Sequence, residues 1–266
     1  MKKHVGLALA IASTALVAQP TAAEAAVTKN CTVITHRAIY KHTEEQPIGV
    51  KAAKRWGWAE VDARMTKDGR VVAMHDARMT RVSGGASRQF VHDLTLKEIR
   101  ALPYEYGSRV QTVGRLIRQA SRNRSRIMVQ IQGYKLTKDK WDNGGLASLW
   151  KSAQRHRRPR LVYFGGPGGG KAMRAAHPKA SSFVKYKKSS TGIPKHVREN
   201  GVDIASLPRS RFDKGLVRRL RRAGALVASD QLGSRRGVRK ANRAGIRIIQ
   251  TNKARTVATR WCLPRR

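Results

Sequence analysis

Two histidines and an arginine are placed so that they could hydrolyse a phosphate ester. His36-Arg37 follows one short apolar run, and His75-Asp76 ends another. Histidine exchanges protons near neutral pH, and the planar guanidinium group of arginine suits phosphate oxygens. A single histidine at a strand end is usually structural, but the two together lead us to expect that His36 and His75 are catalytic and that Arg37 binds phosphate.

Glu60 and Asp62 extend this chemistry to a metal ion. They stand at positions i and i+2 of a predicted strand, so their side chains leave the same face. Carboxylate oxygens suit Ca²⁺ or Mg²⁺, and the lack of clustered cysteine and histidine pairs argues against structural zinc. We expect this pair to hold a divalent metal, Ca²⁺ or Mg²⁺, for phosphoester chemistry. The alternative is a solvated pair at the end of a strand.

Eight short β-branched runs predict the strands that would position these residues. Segments long enough for a helix separate them, which favours a single α/β domain, the TIM (β/α)8 barrel. In such a barrel the carboxyl ends of the strands surround the active site. The predicted strands span residues 32–35, 59–62, 127–131, 161–164, 182–186, 202–207, 225–229 and 247–251. The run 71–74 before His75 is expected to be a further strand that ends at the same face.

Local signals support the predicted helices. Thr95 can cap a helix in which Glu98 returns the hydrogen bond, the pattern of a capping box. The apolar residues of 113–120 and 212–220 repeat at helical spacing, and we expect each stripe to face the barrel.

The first residues predict export. Lys2 and Lys3 precede the 14-residue apolar run 5–18 and then small residues, which is typical of a secretory signal peptide over residues 1–25. We therefore expect a secreted, extracellular monomer whose folded domain spans residues 26–266. The two cysteines, Cys31 and Cys262, lie near the ends of that domain, and in an oxidising compartment they favour a disulfide over two unpaired thiols.

The charge of the chain points to anionic partners. The chain carries 56 Lys and Arg against 16 Asp and Glu, a formal net charge of +40. Residues 208–266 alone hold 18 basic and two acidic residues. Such a field would concentrate polyanions, whether an anionic polymer such as teichoic acid, nucleic acid or an anionic membrane surface.

The order of the chemical motifs resembles the glycerophosphodiester phosphodiesterase family. The resemblance rests on Thr35-His36-Arg37, Glu44, 57–62, 66–72 and His75-Asp76, and it continues through Arg81 and 93–99. It is strong over residues 33–102 and fainter at 127–132 and at Thr251-Asn252, where the last predicted strand ends.

This resemblance implies a TIM barrel with His36 and His75 as base and acid, and Arg37 on the phosphate. It also implies a divalent metal held by Glu60 and Asp62, with Glu44 in or beside the metal shell and Glu45 at the surface. The sequence departs from the family pattern at three positions. Ala38 stands where the family usually has glycine, Gln130 replaces a metal carboxylate but keeps a carbonyl oxygen, and Gln132 replaces a lysine.

The expected function is hydrolysis of glycerophosphodiesters to an alcohol and glycerol phosphate, by water or through a cyclic phosphate. Two alternatives stay open. One is a phospholipase D-like enzyme of the same superfamily that acts on phospholipids at a membrane. The other is a catalytically weakened barrel that binds polyanions, which would account for Gln130, Gln132 and the charge.

Overall fold

The computed structural model describes residues 31–156 and 161–262, and it shows a closed barrel of parallel strands inside a ring of helices. The strands are β1 (Thr32–Thr35), β2 (Gly57–Met65), β3 (Val71–Ala73), β4 (Ile127–Ile131), β5 (Val162–Gly165), β6 (Ser181–Lys185), β7 (Ile204–Leu207), β8 (Leu226–Ser229) and β9 (Ile248–Thr251). The helices are α1 (Pro47–Ala53), α2 (Leu96–Ala101), α3 (Val113–Arg122), α4 (Lys138–Lys140), α5 (Leu146–Gln154), α6 (Gly169–Ala176), α7 (Ile193–Asn200), α8 (Lys214–Arg222), α9 (Arg235–Arg243) and α10 (Ala254–Thr256).

Strand pairing closes the barrel. The order β1-β9-β8-β7-β6-β5-β4-β2 is completed by a parallel pairing of β1 with β2. All eight predicted barrel strands are present, so the predicted TIM-barrel fold is confirmed. The strand expected within residues 71–74 is present as well, but it is not one of the parallel barrel strands. Val71–Ala73 instead pairs antiparallel with the far end of β2 as an added hairpin strand outside the barrel.

The barrel interior changes from apolar to polar along its axis. Its lower layer is a buried apolar cluster to which seven of the eight barrel strands contribute one residue each: Ile34, Trp58, Met128, Tyr163, Phe183, Ile204 and Ala228. Because side chains alternate along a strand, the residues two positions further on also point inward. On β2, β4 and β6 these are Glu60, Gln130 and Lys185. The apolar layer therefore supports a polar layer near the carboxyl ends of the strands.

The helices pack through the stripes that the sequence predicts. Val113, Leu116, Ile117 and Ala120 of α3 are fully buried in the core cluster beside β2 and β4. Thr95 and Glu98 form the predicted capping box at the start of α2. Asp213 caps α8 by accepting a hydrogen bond from the Leu216 N–H at 2.7 Å.

The predicted disulfide is present. Cys31 and Cys262 are bonded, with their Cα atoms 5.7 Å apart and a sequence separation of 231. The bond joins the residue before β1 to the end of the helical segment after β9. The predicted signal peptide, residues 1–25, lies outside the described residues. In the described ranges, no helix combines the length and apolar character needed to cross a membrane.

Candidate active site

The loop after β1 carries His36 and Arg37 to the mouth of the barrel. The His36 ring Nδ1 lies 2.7 Å from the Asn252 Oδ1, just beyond β9, and its Nε2 lies 4.0 Å from Glu60 Oε2. The backbone N–H of Arg37 donates to Glu60 Oε2 at 2.9 Å. The Glu60 carboxylate thus contacts both the His36 ring and the backbone of Arg37, the residue expected to bind phosphate.

Ala38 is accommodated by the residue it packs against. Its φ of 46° lies in the left-handed region that favours glycine, and its side chain is fully buried. The neighbour is Gly49 of α1, where an added Cβ would lie 1.7 Å from the Ala38 carbonyl oxygen. The methyl group of Ala38 therefore belongs to the packing between the loop and α1.

Glu60 and Asp62 point into the barrel together, as the strand spacing predicts, and both are 0% exposed. Glu60 Oε1 lies 3.3 Å from the Lys185 Nζ. Asp62 Oδ1 accepts a hydrogen bond from the Gln132 Nε2 at 2.7 Å. Two charged oxygens are therefore already held by donors from β6 and from the end of β4.

The expectation that Glu45 is a surface residue is wrong. Glu45 is 1% exposed, and its Oε1 accepts a hydrogen bond from the backbone N–H of Asp62 at 3.0 Å. Glu44 was expected at the metal, but its carboxylate pairs with Arg81 at 2.5 Å and with the Arg37 Nη1 at 3.5 Å. Arg37 in turn approaches Asp62, with its Nε 3.9 Å from Oδ2, so the arginine lies between Glu44 and Asp62. Glu45 therefore completes the carboxylate cluster.

The three buried carboxylates differ in their affinity for protons. Burial, together with the charge of Glu60, raises the pKa of Asp62 to about 7. Burial and the charge of Asp62 hold the pKa of Glu45 well above its usual value. Burial opposes ionisation of Glu60 as well, but Lys185, His36 and the Arg37 N–H bring its pKa below the usual value. Fully ionised, the three carboxylates would carry more negative charge than Lys185 and Arg37 balance, and the raised pKa values of Asp62 and Glu45 mean that bound protons offset the excess.

His75 begins a second chain of contacts at the rim. Its Nδ1 lies 2.9 Å from Asp76 Oδ1, and Asp76 Oδ2 accepts a hydrogen bond from Arg81 Nε at 2.6 Å. Burial would raise the pKa of Asp76, but hydrogen bonds from Arg81 and His75 lower it. The chain ends at Glu44, which links it to Arg37. Because β3 is outside the barrel, His75 reaches the mouth from the hairpin added to β2.

A cavity of about 570 Å³ lies beside this second chain. The loop after β1 forms one wall, and the segment between β3 and α3 forms the other. Its lining includes Glu44, Arg81, Glu105 and Tyr106. Arg81 stacks over the Tyr106 ring with its guanidinium carbon 4.5 Å from the ring centroid. This cavity offers space next to Glu44 and Arg81 for part of a substrate.

The oxygen atoms of the cluster are of the chemical type that binds hard cations. Glu45 Oε2, Asp62 Oδ2 and Gln130 Oε1 are buried without a hydrogen-bond partner among the described residues. Ca²⁺ and Mg²⁺ are bound by carboxylate and amide oxygens of this type. As they stand, however, the described residues contain no set of three or more His, Cys, Asp or Glu side chains drawn together around one point. The residues fit a divalent metal, but closing a coordination shell requires side-chain adjustment.

Sequence reasoning missed two residues of this site. Lys185 is the last residue of β6, and Asn252 follows β9; both positions are at the carboxyl ends of barrel strands. That placement was the available signal. Position alone does not distinguish these residues from others at strand ends. Their contacts do, but Glu60 lies 125 residues from Lys185 in sequence, and His36 lies 216 residues from Asn252.

A sequence comparison with known families matches the chain to one of them. The matching model is that of the glycerophosphoryl diester phosphodiesterase family, and it covers residues 50–256. Glu60, Asp62, His75 and Gln130 lie inside the match, and His36 precedes it. A curated glycerophosphodiester phosphodiesterase from Caldanaerobacter subterraneus subsp. tengcongensis is 40% identical over 73 residues. That alignment spans 26% of this chain and 29% of the relative's length.

Solved structures share the fold at low sequence identity. A phosphodiesterase from Oleispira antarctica, in complex with the product sn-glycerol-3-phosphate, has a TM-score of 0.72 at 16% identity. The similarity covers 86% of this chain and 96% of that one. A glycerophosphodiester phosphodiesterase from Agrobacterium tumefaciens str. C58 has a TM-score of 0.71 at 12% identity, covering 86% of this chain and 99% of that one.

Proposed function

Since the chain belongs to the glycerophosphoryl diester phosphodiesterase family, a family of phosphoric diester hydrolases, we propose that it hydrolyses glycerophosphodiesters to an alcohol and glycerol phosphate. The observation that carries the proposal is that His36 and Arg37 contact a buried carboxylate cluster at the barrel mouth, and that a chain of contacts through Asp76, Arg81 and Glu44 links His75 to Arg37. The product named for the Oleispira antarctica neighbour, sn-glycerol-3-phosphate, agrees with this substrate class.

The partners of the two histidines support different roles. The side-chain oxygen Oδ1 of Asn252 accepts a hydrogen bond from the N–H at His36 Nδ1, which leaves Nε2 free to take a proton from the nucleophile. Asp76 contacts His75 Nδ1, and a carboxylate there stabilises the charged imidazolium that an acid must carry. We assign His36 as the base and His75 as the acid that protonates the departing alcohol.

Arg37 is suited to hold the phosphate between them. Its Nε is buried and has no hydrogen-bond partner among the described residues, while its Nη1 is oriented by Glu44. A guanidinium group positioned between two carboxylates keeps further N–H donors that can bind a phosphate oxygen. This contact would neutralise charge that develops on the phosphate as the ester bond breaks.

A divalent metal, Ca²⁺ or Mg²⁺, belongs to the proposal. Glu60, Asp62 and Gln130 would hold it as expected, and Glu45 takes the place first expected for Glu44. A bound metal would act as a Lewis acid on the phosphate oxygens. Gln130 gives a neutral oxygen in place of a carboxylate, so we expect weaker metal binding than a fourth carboxylate would give.

The test is hydrolysis of glycerophosphocholine and glycerophosphoethanolamine in Ca²⁺, Mg²⁺ or chelator. We expect turnover that needs metal and falls by about 10² to 10⁴ in His36→Ala and in His75→Ala. His177→Ala is the control, since His177 stacks on Trp150 just after α6. Equal turnover in His36→Ala and His177→Ala would show that the barrel mouth is not the site. Turnover on phospholipid vesicles alone would favour the phospholipase D-like alternative.

We also propose that the protein is secreted and acts as a monomer outside the cell. The Cys31–Cys262 disulfide supports an oxidising compartment, which agrees with the predicted signal peptide. Fractionation of the source cells should recover the protein outside the membrane with its amino terminus near residue 26. A full-length chain retained in the cytoplasm would contradict this.

An anionic polymer is the proposed partner of the basic face, defined as the exposed Lys and Arg side chains of residues 209–260. Within the described part of that range there are thirteen of them, against one exposed carboxylate, Asp213. They lie on α8, α9 and the neighbouring loops, where few aromatic or large apolar side chains are exposed. A surface with charge and little apolar area favours a polymer held by electrostatic attraction.

Binding of a glycerol-phosphate polymer, measured as a function of salt, tests the basic face. Replacing Arg218, Arg222, Arg236 and Arg243 with glutamine should weaken binding and flatten its salt dependence. The control replaces Arg115, Arg118, Arg122 and Arg124, four exposed arginines on and after α3. Equal losses from both sets would mean that net charge, and not this face, is responsible. Nucleic acid and anionic vesicles serve as competing ligands.

A further inference from the structure

Lys185 places an ammonium group inside the proposed metal site. It is the last residue of β6, and β5 and β4 separate that strand from β2, so its side chain reaches far across the barrel to Glu60. The Nζ lies 3.3 Å from Glu60 Oε1; the Lys185 side chain is 25% exposed and that of Glu60 is 0% exposed. Burial would lower the pKa of Lys185, but Glu60, Asp230 and Asp62 raise it.

Lys185 binds Glu60 Oε1, an oxygen atom that a metal ion in this site would also need. Glu60 Oε2 already accepts from the Arg37 N–H, Asp62 Oδ1 from Gln132 and Glu45 Oε1 from the Asp62 N–H, so Glu60 Oε1 is the fourth oxygen of the cluster held by a donor. An ammonium group and a divalent cation compete for the same lone pairs because both are attracted by the same negative charge. A buried carboxylate without either partner is costly.

We propose that Lys185 is a built-in cation that occupies Glu60 when no metal is bound, and that a divalent metal must displace it. The lysine stem is flexible and the side chain is partly exposed, so the ammonium can turn toward the barrel mouth as a metal binds. The protein then keeps its carboxylate cluster neutralised in metal-poor surroundings at the expense of metal affinity. This inference rests on the proposed metal site.

The test compares Lys185→Met with wild type in the absence of substrate. In chelator, Lys185→Met should unfold at a lower temperature than wild type because Glu60 has lost its ammonium partner. Ca²⁺ or Mg²⁺ should restore that temperature, and calorimetry should show a dissociation constant about tenfold lower than that of wild type, the fold-change that corresponds to about 1.4 kcal/mol. Lys187→Met, an exposed lysine two residues further on, is the control for net charge.

Metal binding by Lys185→Met that equals or falls below that of wild type would overturn the proposal. If neither protein binds metal, the competition is also refuted, and diester turnover in chelator decides separately whether the proposed function stands. Lys185→Gln serves if the methionine variant does not fold, because an amide can still donate to Glu60 without a charge. It should likewise bind metal more tightly than wild type.

Discussion

At the scale of single residues, two neighbouring glutamates after β1 have different surroundings. Glu45 faces the Asp62 backbone, and Glu44 faces Arg81 and Arg37. Glu45→Gln removes a charge from the buried cluster, so we expect metal affinity to fall about tenfold or more. Glu44→Gln should leave metal affinity near that of wild type. Isothermal calorimetry with Ca²⁺ and Mg²⁺ measures both, and a greater loss in Glu44→Gln would reverse our assignment.

The raised pKa of Asp62 predicts how the metal-free protein responds to pH. The pKa of Asp62 is about 7 in the folded state against an ordinary value of 3.8. At pH values between these two, the native state therefore binds more protons than the unfolded chain. The free energy of unfolding should therefore fall as pH rises through that window. Because bound metal would replace the proton, Ca²⁺ or Mg²⁺ should raise the melting temperature more at pH 8 than at pH 5.5.

Asp62→Asn provides the control for this pH response. It lacks the titrating group, so its melting temperature in chelator should depend less on pH between 5.5 and 8. An unchanged dependence would mean that other groups cause the response. Glu45, whose pKa is also raised, is the next group to replace.

The site residues could be predicted from sequence only where regular structure fixes their direction. Strand alternation was enough to place Glu60 and Asp62 on one face. The loop after β1 has no such period, since Arg37, Ala38, Lys41 and Glu45 all have positive φ. Counting positions there placed Glu45 at the surface, whereas it is buried and contacts the Asp62 backbone. Backbone turns of this kind depend on tertiary packing that local sequence does not record.

At the scale of elements, the contact between α1 and the loop after β1 explains why position 49 is glycine. Glycine to alanine inside a helix ordinarily stabilises it by about 1 kcal/mol. At Gly49 the added methyl group would meet the Ala38 carbonyl oxygen, so α1 or the loop must shift. We expect Gly49→Ala to lower both the melting temperature and diester turnover, because the same loop carries His36 and Arg37.

Gly233→Ala is the matched control for this substitution. An alanine Cβ at that position would have no atom within 4 Å. Its thermal unfolding should stay close to that of wild type. If Gly49→Ala is equally stable and active, the loop adjusts more freely than its packing indicates.

The barrel strands were predictable because each is a short β-branched run between polar or glycine-containing segments. β1 and β4 have the predicted bounds, and the others differ by a few residues at their ends. The pairing of β3 was not predicted. Its sequence indicates a strand, but its antiparallel pairing comes from the turn at residues 66–70, where Thr66 Oγ1 contacts Asp68 and the Arg70 N–H. Local pattern identifies a strand more readily than its place in a sheet.

At the scale of the whole molecule, the disulfide joins the chain just before the first barrel strand to the chain after the last one. In the chain-entropy account, closing a loop this long stabilises the protein by up to about 5 kcal/mol. Replacing Cys31 and Cys262 with serine should lower the melting temperature, and a reducing agent should do the same to wild type. If the serine variant and the reduced wild type both melt at the temperature of the oxidised wild type, the bond contributes nothing to stability.

The same bond makes the chain between residues 31 and 262 a covalent ring. A single proteolytic cut in an outer loop would leave both fragments attached, so a nicked molecule would migrate as one chain until it is reduced. Cys31 and Cys262, whose Cα atoms lie 5.7 Å apart, are also close enough for a short peptide to replace the disulfide. New termini could then be opened at an exposed turn such as Gly192, before α7, giving a circular permutant in which the helical segment after β9 leads into β1.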